Sequence, residues 1–135
     1  MTAYGAKLTV SHEPSSVRRA RHAVAAGLDE AGLASIAYDD TLLVLSELVS
    51  NAVRHAIPLP SGYLQVSWHL EPELVHLEVT DGGSATRPGP SVAAITALGG
   101  RGLEIVRIVS RDWGVTEGAG SVTVWADVPT DQRLR

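Results

Sequence analysis

The sequence predicts an α/β two-layer sandwich, in which a mixed, mostly antiparallel sheet carries three main helices on one face. Helical patterns are separated along the chain from a central run of consecutive extended stretches. Those stretches alternate polar and apolar residues, so one sheet face is expected to be apolar and covered by helices. The 135 residues are 44% hydrophobic and 19% charged, which is enough for one domain with a real core.

The first third of the chain predicts a strand followed by a helix. The stretch AKLTVSHEP alternates apolar and polar residues until Pro14 ends the strand. In the helix that follows, Ser15 or Ser16 is the candidate N-cap, and Gly32 suits the C-terminal stop. Its apolar stripe comprises Val17, Ala20, Val24, Leu28 and Ala31.

A second helix is predicted to include LLVLSELVSNAVRHA, residues 42–56, and to begin earlier, with Asp39 or Asp40 in its first turn. It is expected to end before Pro58 and Pro60, because proline cannot continue a helix. Placed on a helical wheel, its apolar residues gather on one side. They are Leu42, Leu45, Val49, Ala52, Val53 and Ala56.

The opposite side of this second helix is polar. Glu47, Asn51 and Arg54 cluster there, with His55 at the edge. Glu47 and Asn51 are four positions apart, so their side chains meet over the same helical turn. From the helix alone, this face is either exposed to water or the wall of a pocket.

The second half of the chain predicts the remaining strands and a third helix. YLQVSWHL and LVHLEVTD have a period of two and predict adjacent strands joined by a tight turn at EPE. GGSATRPGPS is rich in structure breakers and predicts a loop. LEIVRIVSRDW predicts a helix that is apolar around most of its circumference and therefore well buried. GVTEGAGSVTVWADVP predicts a hairpin that turns at Gly118 to Gly120.

The composition excludes several classes of protein and site. A net charge of −4 provides no basic footprint for nucleic acid, and the absence of cysteine excludes disulfides and thiolate sites. The five histidines have no metal-ligand spacing. Neither a signal peptide nor a membrane-spanning run is expected, so the expectation is a soluble cytoplasmic protein consisting of one domain, residues 1–135.

Three polar or glycine-rich clusters could carry chemistry. The first is Glu47 with Asn51, and the second is VTDGG, in which Asp81 ends an apolar strand. The third is GGRGL, a glycine-rich turn directly before a helix, where backbone amides suit an anion such as phosphate. Each cluster alone is common in proteins without such a function. The familiar P-loop and dinucleotide-binding motifs are absent.

The order and spacing of the three clusters resemble the GHKL ATPase family. E-x-x-x-N on a helix, D-x-G after a strand and G-x-G-L opening a helix are the matching motifs. This family has the Bergerat ATP-binding fold, which also occurs in DNA gyrase and the histidine kinases. Within it, the small size and ELVSNAVRHA are most similar to bacterial anti-sigma factor serine/threonine kinases.

The resemblance implies a site for ATP and Mg²⁺. Asn51 matches the asparagine that coordinates magnesium, Glu47 matches the general base that activates an acceptor hydroxyl, and Asp81 matches the acceptor of the adenine amino group. Residues 84–98 match the mobile ATP lid, although Ala85 stands where the family usually has a glycine. The other matches are Gly83 beside the base, Gly100, Arg101, Gly102 and Leu103 at the phosphates, and Thr123 at adenine.

The resemblance also implies a function. A kinase of this type sequesters a sigma factor, phosphorylates a small anti-sigma factor antagonist on serine or threonine, and forms a homodimer. A second hypothesis is an ATP-binding regulator that holds its partner without transferring phosphate. Glu47 favours the kinase, whereas Ala85 is compatible with both. A third is a plain α/β interaction domain whose glycines match by chance.

Overall fold

The computed structural model describes residues 4–33, 35–83 and 104–130, with only the backbone of residue 35. Its elements are β1 (Tyr4–Ser11), α1 (Ser16–Ala31), α2 (Ser35–His55), β2 (Tyr63–Leu70), β3 (Leu74–Asp81), α3 (residues 104–109), β4 (Asp112–Gly118) and β5 (Ser121–Pro129). The five described strands form one sheet in the order β1-β2-β3-β5-β4, in which every described pair is antiparallel. The predicted sandwich of three helices and a mostly antiparallel sheet is confirmed.

Helix α1 has the predicted limits but not the predicted cap. Gly32 ends the helix with a φ of 74°, in the left-handed region that glycine adopts without strain. Ser15 occupies the N-cap position without making a side-chain capping bond. Instead, the hydroxyl of Ser16 donates to the carbonyl of Ser11 at 2.6 Å. The start of α1 is therefore hydrogen-bonded to the end of β1.

Helix α2 begins about one turn earlier than predicted, so Asp39 and Asp40 lie beyond its first turn. Ala37 and Thr41 are fully buried, and the Thr41 hydroxyl donates to the Ala37 carbonyl at 2.7 Å. Because the threonine hydroxyl is satisfied within the helix, Thr41 extends the buried face although it is polar. The buried surface is also wider than the predicted stripe, since Val44 and Leu48 join it.

The strands bury the predicted residues on the face that the helices cover. Trp68 of β2 packs against Gly27 of α1, where an added Cβ would lie 2.2 Å from the indole. The missing side chain thus lets α1 approach the sheet. The other buried strand residues include Leu64, Val66, Val75, Leu77, Val79, Val122, Val124, Ala126 and Val128.

The prediction for the third helix was wrong in extent and burial. The helical residues end at position 109, and Trp113 belongs to β4, where it pairs with Ala126. Pairing with β5 overrides the helical pattern. The pairing begins at Arg111, whose N–H donates to the Asp127 carbonyl at 2.7 Å. Val106 and Val109 are buried, whereas Ile108 is 71% exposed, so α3 has apolar residues on two sides and buries only one of them.

No helix within the described ranges has both the length and the hydropathy needed to cross a membrane.

Candidate functional site

Asp81, the last residue of β3, is a buried carboxylate with 6% of its surface exposed. Desolvation raises its pKa to about 6, although a hydrogen bond from Gly83 and the charge of His12 act in the opposite direction. The Gly83 N–H donates to Asp81 Oδ1 at 2.6 Å. The site therefore holds a buried acceptor that is ionised above about pH 6.

The two glycines after Asp81 are required by the backbone. Gly83 has a φ of 96°, which side chains rarely adopt. A Cβ at Gly82 would lie 2.1 Å from the carbonyl oxygen of Pro58. This close approach accompanies two hydrogen bonds, from Gly82 N–H to the Ile57 carbonyl at 2.8 Å and from Ile57 N–H to the Gly83 carbonyl at 2.9 Å. The segment after α2 is thus paired with the Asp81 loop, residues 81–83.

The polar face of α2 is half-buried at Glu47 and Asn51 and exposed at Arg54. The Oδ1 atom of Asn51 is buried and has no hydrogen-bond partner among the described residues. A buried acceptor without a partner costs about 1–3 kcal/mol, so native proteins rarely keep one without a reason. This orphaned oxygen favours the pocket wall over the water-exposed face.

His12 is a site neighbour that the sequence analysis missed. Its Nε2 donates to the carbonyl of Ala56 at 2.7 Å and lies 3.3 Å from the carbonyl of Ala52, at the C-terminal end of α2. Its charge also acts on the Asp81 carboxylate. The contact joins residues 44 positions apart, so no local pattern could have revealed it.

The structure does not bring Thr123 together with Asp81. Thr123 pairs with Thr80, and their hydroxyl oxygens are 2.7 Å apart. Asp81 pairs with Val122, and both of those side chains are buried. Successive strand residues point to opposite faces, so Thr123 lies on the face away from Asp81. The expected contact of Thr123 with adenine is therefore not supported by this geometry.

The remaining predicted positions cannot be placed. Gly100, Arg101, Gly102 and Leu103, together with Ala85 and the expected lid, lie outside the described residues. The described part of the site consists of Asp81 and its glycines, the polar face of α2, and His12.

Comparisons with known proteins support a family assignment. The family of histidine kinase-like ATPase domains matches residues 10–127. The fold resembles a crystal structure of the RsbU and RsbW domains of Rv1364c from Mycobacterium tuberculosis, with a TM-score of 0.71 and 21% identity. That match covers 92% of this chain and 32% of the other, so this chain spans about a third of its length. No curated protein sequence matches the chain significantly.

The family match runs from β1 to β5 and so includes all three parts of the described site. The Asp81 loop and His12 are both hydrogen-bonded to the end of α2 or to the residues that directly follow it. The chain belongs to the family of histidine kinase-like ATPase domains.

Proposed function

We propose that this protein is an ATP-dependent serine/threonine protein kinase of the anti-sigma factor type, which regulates transcription by partner switching. The observation that carries the proposal is the orphaned, buried Oδ1 of Asn51, one helical turn from Glu47. The end of the same helix is paired with the loop that follows the buried Asp81. The candidate metal ligand Asn51, the candidate proton acceptor Glu47 and the candidate adenine acceptor Asp81 thus belong to one connected unit.

Asp81 would recognise adenine by accepting a hydrogen bond from its amino group. Above about pH 6 the carboxylate is ionised, so the bond is charge-assisted and correspondingly stronger. Gly83 presents no side chain that would obstruct the base. Backbone amides of Gly100, Gly102 and Leu103, together with Arg101, are proposed to meet the phosphates, as the motif GGRGL suggests.

Asn51 fits magnesium. Mg²⁺ prefers oxygen ligands and retains several waters, and a neutral amide oxygen suits a shell completed by water and phosphate oxygens. When bound, the ion neutralises charge on the phosphates. The buried Oδ1 of Asn51, which lacks a partner among the described residues, is the oxygen that would hold it.

Glu47 is proposed as the general base. It lies four positions before Asn51 on the same helix face and is half-buried, so its carboxylate is available to an incoming hydroxyl. It would accept the proton of a serine or threonine hydroxyl of the acceptor protein. The proposed acceptor is an anti-sigma factor antagonist, and the sequestered partner is a sigma factor. We also propose that the protein forms a homodimer and is cytoplasmic. The proposal of a sigma factor and an antagonist as partners rests on the motif ELVSNAVRHA.

Two measurements test the proposal. The protein is incubated with Mg²⁺, labelled ATP and candidate antagonist proteins encoded near its gene, and label is expected on serine or threonine of one of them. Calorimetry in parallel measures the binding of ATP and ADP. Nucleotide binding without phosphorylation of any antagonist would favour the non-catalytic regulator. No heat with millimolar ATP, ADP and Mg²⁺ would exclude both forms of the proposal.

A further inference from the structure

His12 lies against the end of the helix that carries Glu47 and Asn51. The last carbonyls of a helix have no partner within it. Because a carbonyl can only accept, Nε2 of His12 carries the proton that is donated to the Ala56 carbonyl at 2.7 Å. The imidazole thus satisfies the end of α2 from outside the helix.

The residue that His12 binds directly precedes Ile57. The N–H and the carbonyl of Ile57 are both bonded to the Asp81 loop, at 2.9 Å to Gly83 and at 2.8 Å from Gly82. Gly83 in turn donates to the Asp81 carboxylate at 2.6 Å. Hydrogen bonds and the backbone between them therefore link His12, through the Ala56–Ile57 peptide and Gly83, to the proposed adenine acceptor.

We infer that His12 is a positioning residue, which holds the end of α2 so that Asn51 and Asp81 can contact one nucleotide at the same time. This inference rests on the proposed function. Asn51 lies on α2 four positions before its last residue, His55, and Ala56 directly follows that residue, so a shift at Ala56 is expected to move the proposed metal ligand too. His12 also acts on the Asp81 carboxylate in the direction that lowers its pKa, which agrees with this series of contacts.

The consequence concerns the coupling between the two ends of the nucleotide. Adenine recognition needs Asp81, whereas the metal-dependent part of the affinity needs Asn51. If the end of α2 is displaced, the two contacts can still form separately but not with full strength together. The quantity to measure is therefore the gain in ADP affinity caused by Mg²⁺, which a residue that only stabilises the fold would not change.

Three variants separate these roles. His12→Leu removes the donor and keeps an apolar side chain, whereas His12→Gln keeps an N–H at a similar reach. Ser16→Ala is the matched control, because the Ser16 hydroxyl is bonded to the Ser11 carbonyl in the same β1–α1 connection but not to α2. For each folded variant, calorimetry gives the dissociation constant of ADP with and without Mg²⁺, and denaturation gives the free energy of unfolding.

We expect the Mg²⁺-dependent gain in affinity to fall roughly tenfold in His12→Leu, the effect of one lost hydrogen bond. His12→Gln should retain most of the gain, and Ser16→Ala should retain all of it even if its stability falls. An unchanged gain in His12→Leu overturns the inference, as does an equal loss in Ser16→Ala. If His12→Leu does not fold, His12→Asn replaces it in the same comparison. Wild-type protein that does not bind ADP overturns the proposed function itself.

Discussion

The backbone amide of Gly83 donates to the carboxylate of Asp81, two residues earlier, at 2.6 Å. This bond favours the ionised carboxylate, yet desolvation outweighs it and the pKa of Asp81 rises to about 6. At neutral pH the protein thus keeps a buried negative charge that one short hydrogen bond does not fully compensate. Such a charge destabilises the free protein and suits a ligand that donates to it.

The stability of Asp81→Asn relative to wild type should therefore be higher at neutral pH than at acidic pH, in the absence of ligand. The folded pKa of Asp81 lies above the unfolded value, so its stabilising effect is complete below about pH 4 and is lost as the pH rises through 6. Asparagine does not ionise and escapes this loss. Between pH 4 and 7.5, the stability of the variant relative to wild type should increase by on the order of 2 kcal/mol. Urea denaturation at several pH values measures it.

The same variant should bind ADP roughly tenfold more weakly at pH 7.5, because a charge-assisted hydrogen bond is lost. Calorimetry checks the affinity. A stability difference that does not change with pH would show that the carboxylate is already ionised with no penalty, contrary to its burial.

Gly82→Ala should destabilise the protein and weaken nucleotide binding together. Its Cβ would lie 2.1 Å from the backbone oxygen of Pro58, so the segment after α2 must move away from the Asp81 loop. The expected loss of stability is about 1–3 kcal/mol, as for other overpacked sites. Gly120→Asn is the control, because Gly120 has a φ of 72° that asparagine tolerates, with open space around it. Equal effects of the two substitutions would contradict the steric argument.

His76 lies on the sheet face away from the helices, and its ionisation should make the free energy of unfolding depend on pH above neutrality. Its Nδ1 donates to Asp127 at 2.6 Å and its Nε2 to Glu78 at 2.8 Å, which requires the doubly protonated ring. Burial lowers the pKa of His76, but these hydrogen bonds outweigh it and raise the pKa above the usual 6.5.

The stabilising contribution of His76 is therefore complete below pH 6.5 and is lost as the pH rises through the higher folded value. The stability advantage of wild type over His76→Gln should shrink between pH 6 and 9. NMR titration of the ring should give a midpoint above that of a model peptide. A midpoint below 6.5 would mean that desolvation dominates.

The sequence predicted what depends on local pattern. The limits of β2 and β3 follow from strict alternation, and the end of α1 follows from Gly32. It could not predict what depends on contacts between distant residues. Trp113 is extended, although the sequence predicted a helix there, because β5 lies beside it.

The candidate site divides in the same way. Motif spacing selected Asp81, Glu47 and Asn51 as candidates, whereas the contact between His12 and Ala56 joins residues 44 positions apart. Thr123 matched by motif and lies on the other face, because a match to letters does not include the direction of the side chain.

The last prediction separates a kinase from a binding protein, and it concerns the polar face of α2. Glu47→Gln keeps the shape and hydrogen-bonding capacity of the side chain but cannot take up the proton. ATP affinity should stay within a few fold, whereas phosphotransfer to the antagonist should fall by roughly 10²–10⁴, the usual contribution of a positioned base. Asn51→Ala should instead weaken Mg²⁺-dependent ATP binding and transfer together, because it removes the orphaned oxygen.

These two variants also behave differently in the absence of ligand, which provides an internal control. Asn51→Ala removes a buried acceptor that has no partner among the described residues, so the free protein should be as stable as wild type or more stable. Lower stability would mean that the Asn51 amide has a structural role instead. For Glu47→Gln, full phosphotransfer would leave the kinase proposal intact but remove Glu47 from the mechanism. Loss of ATP binding and transfer in equal measure would assign Glu47 to nucleotide binding rather than to proton transfer.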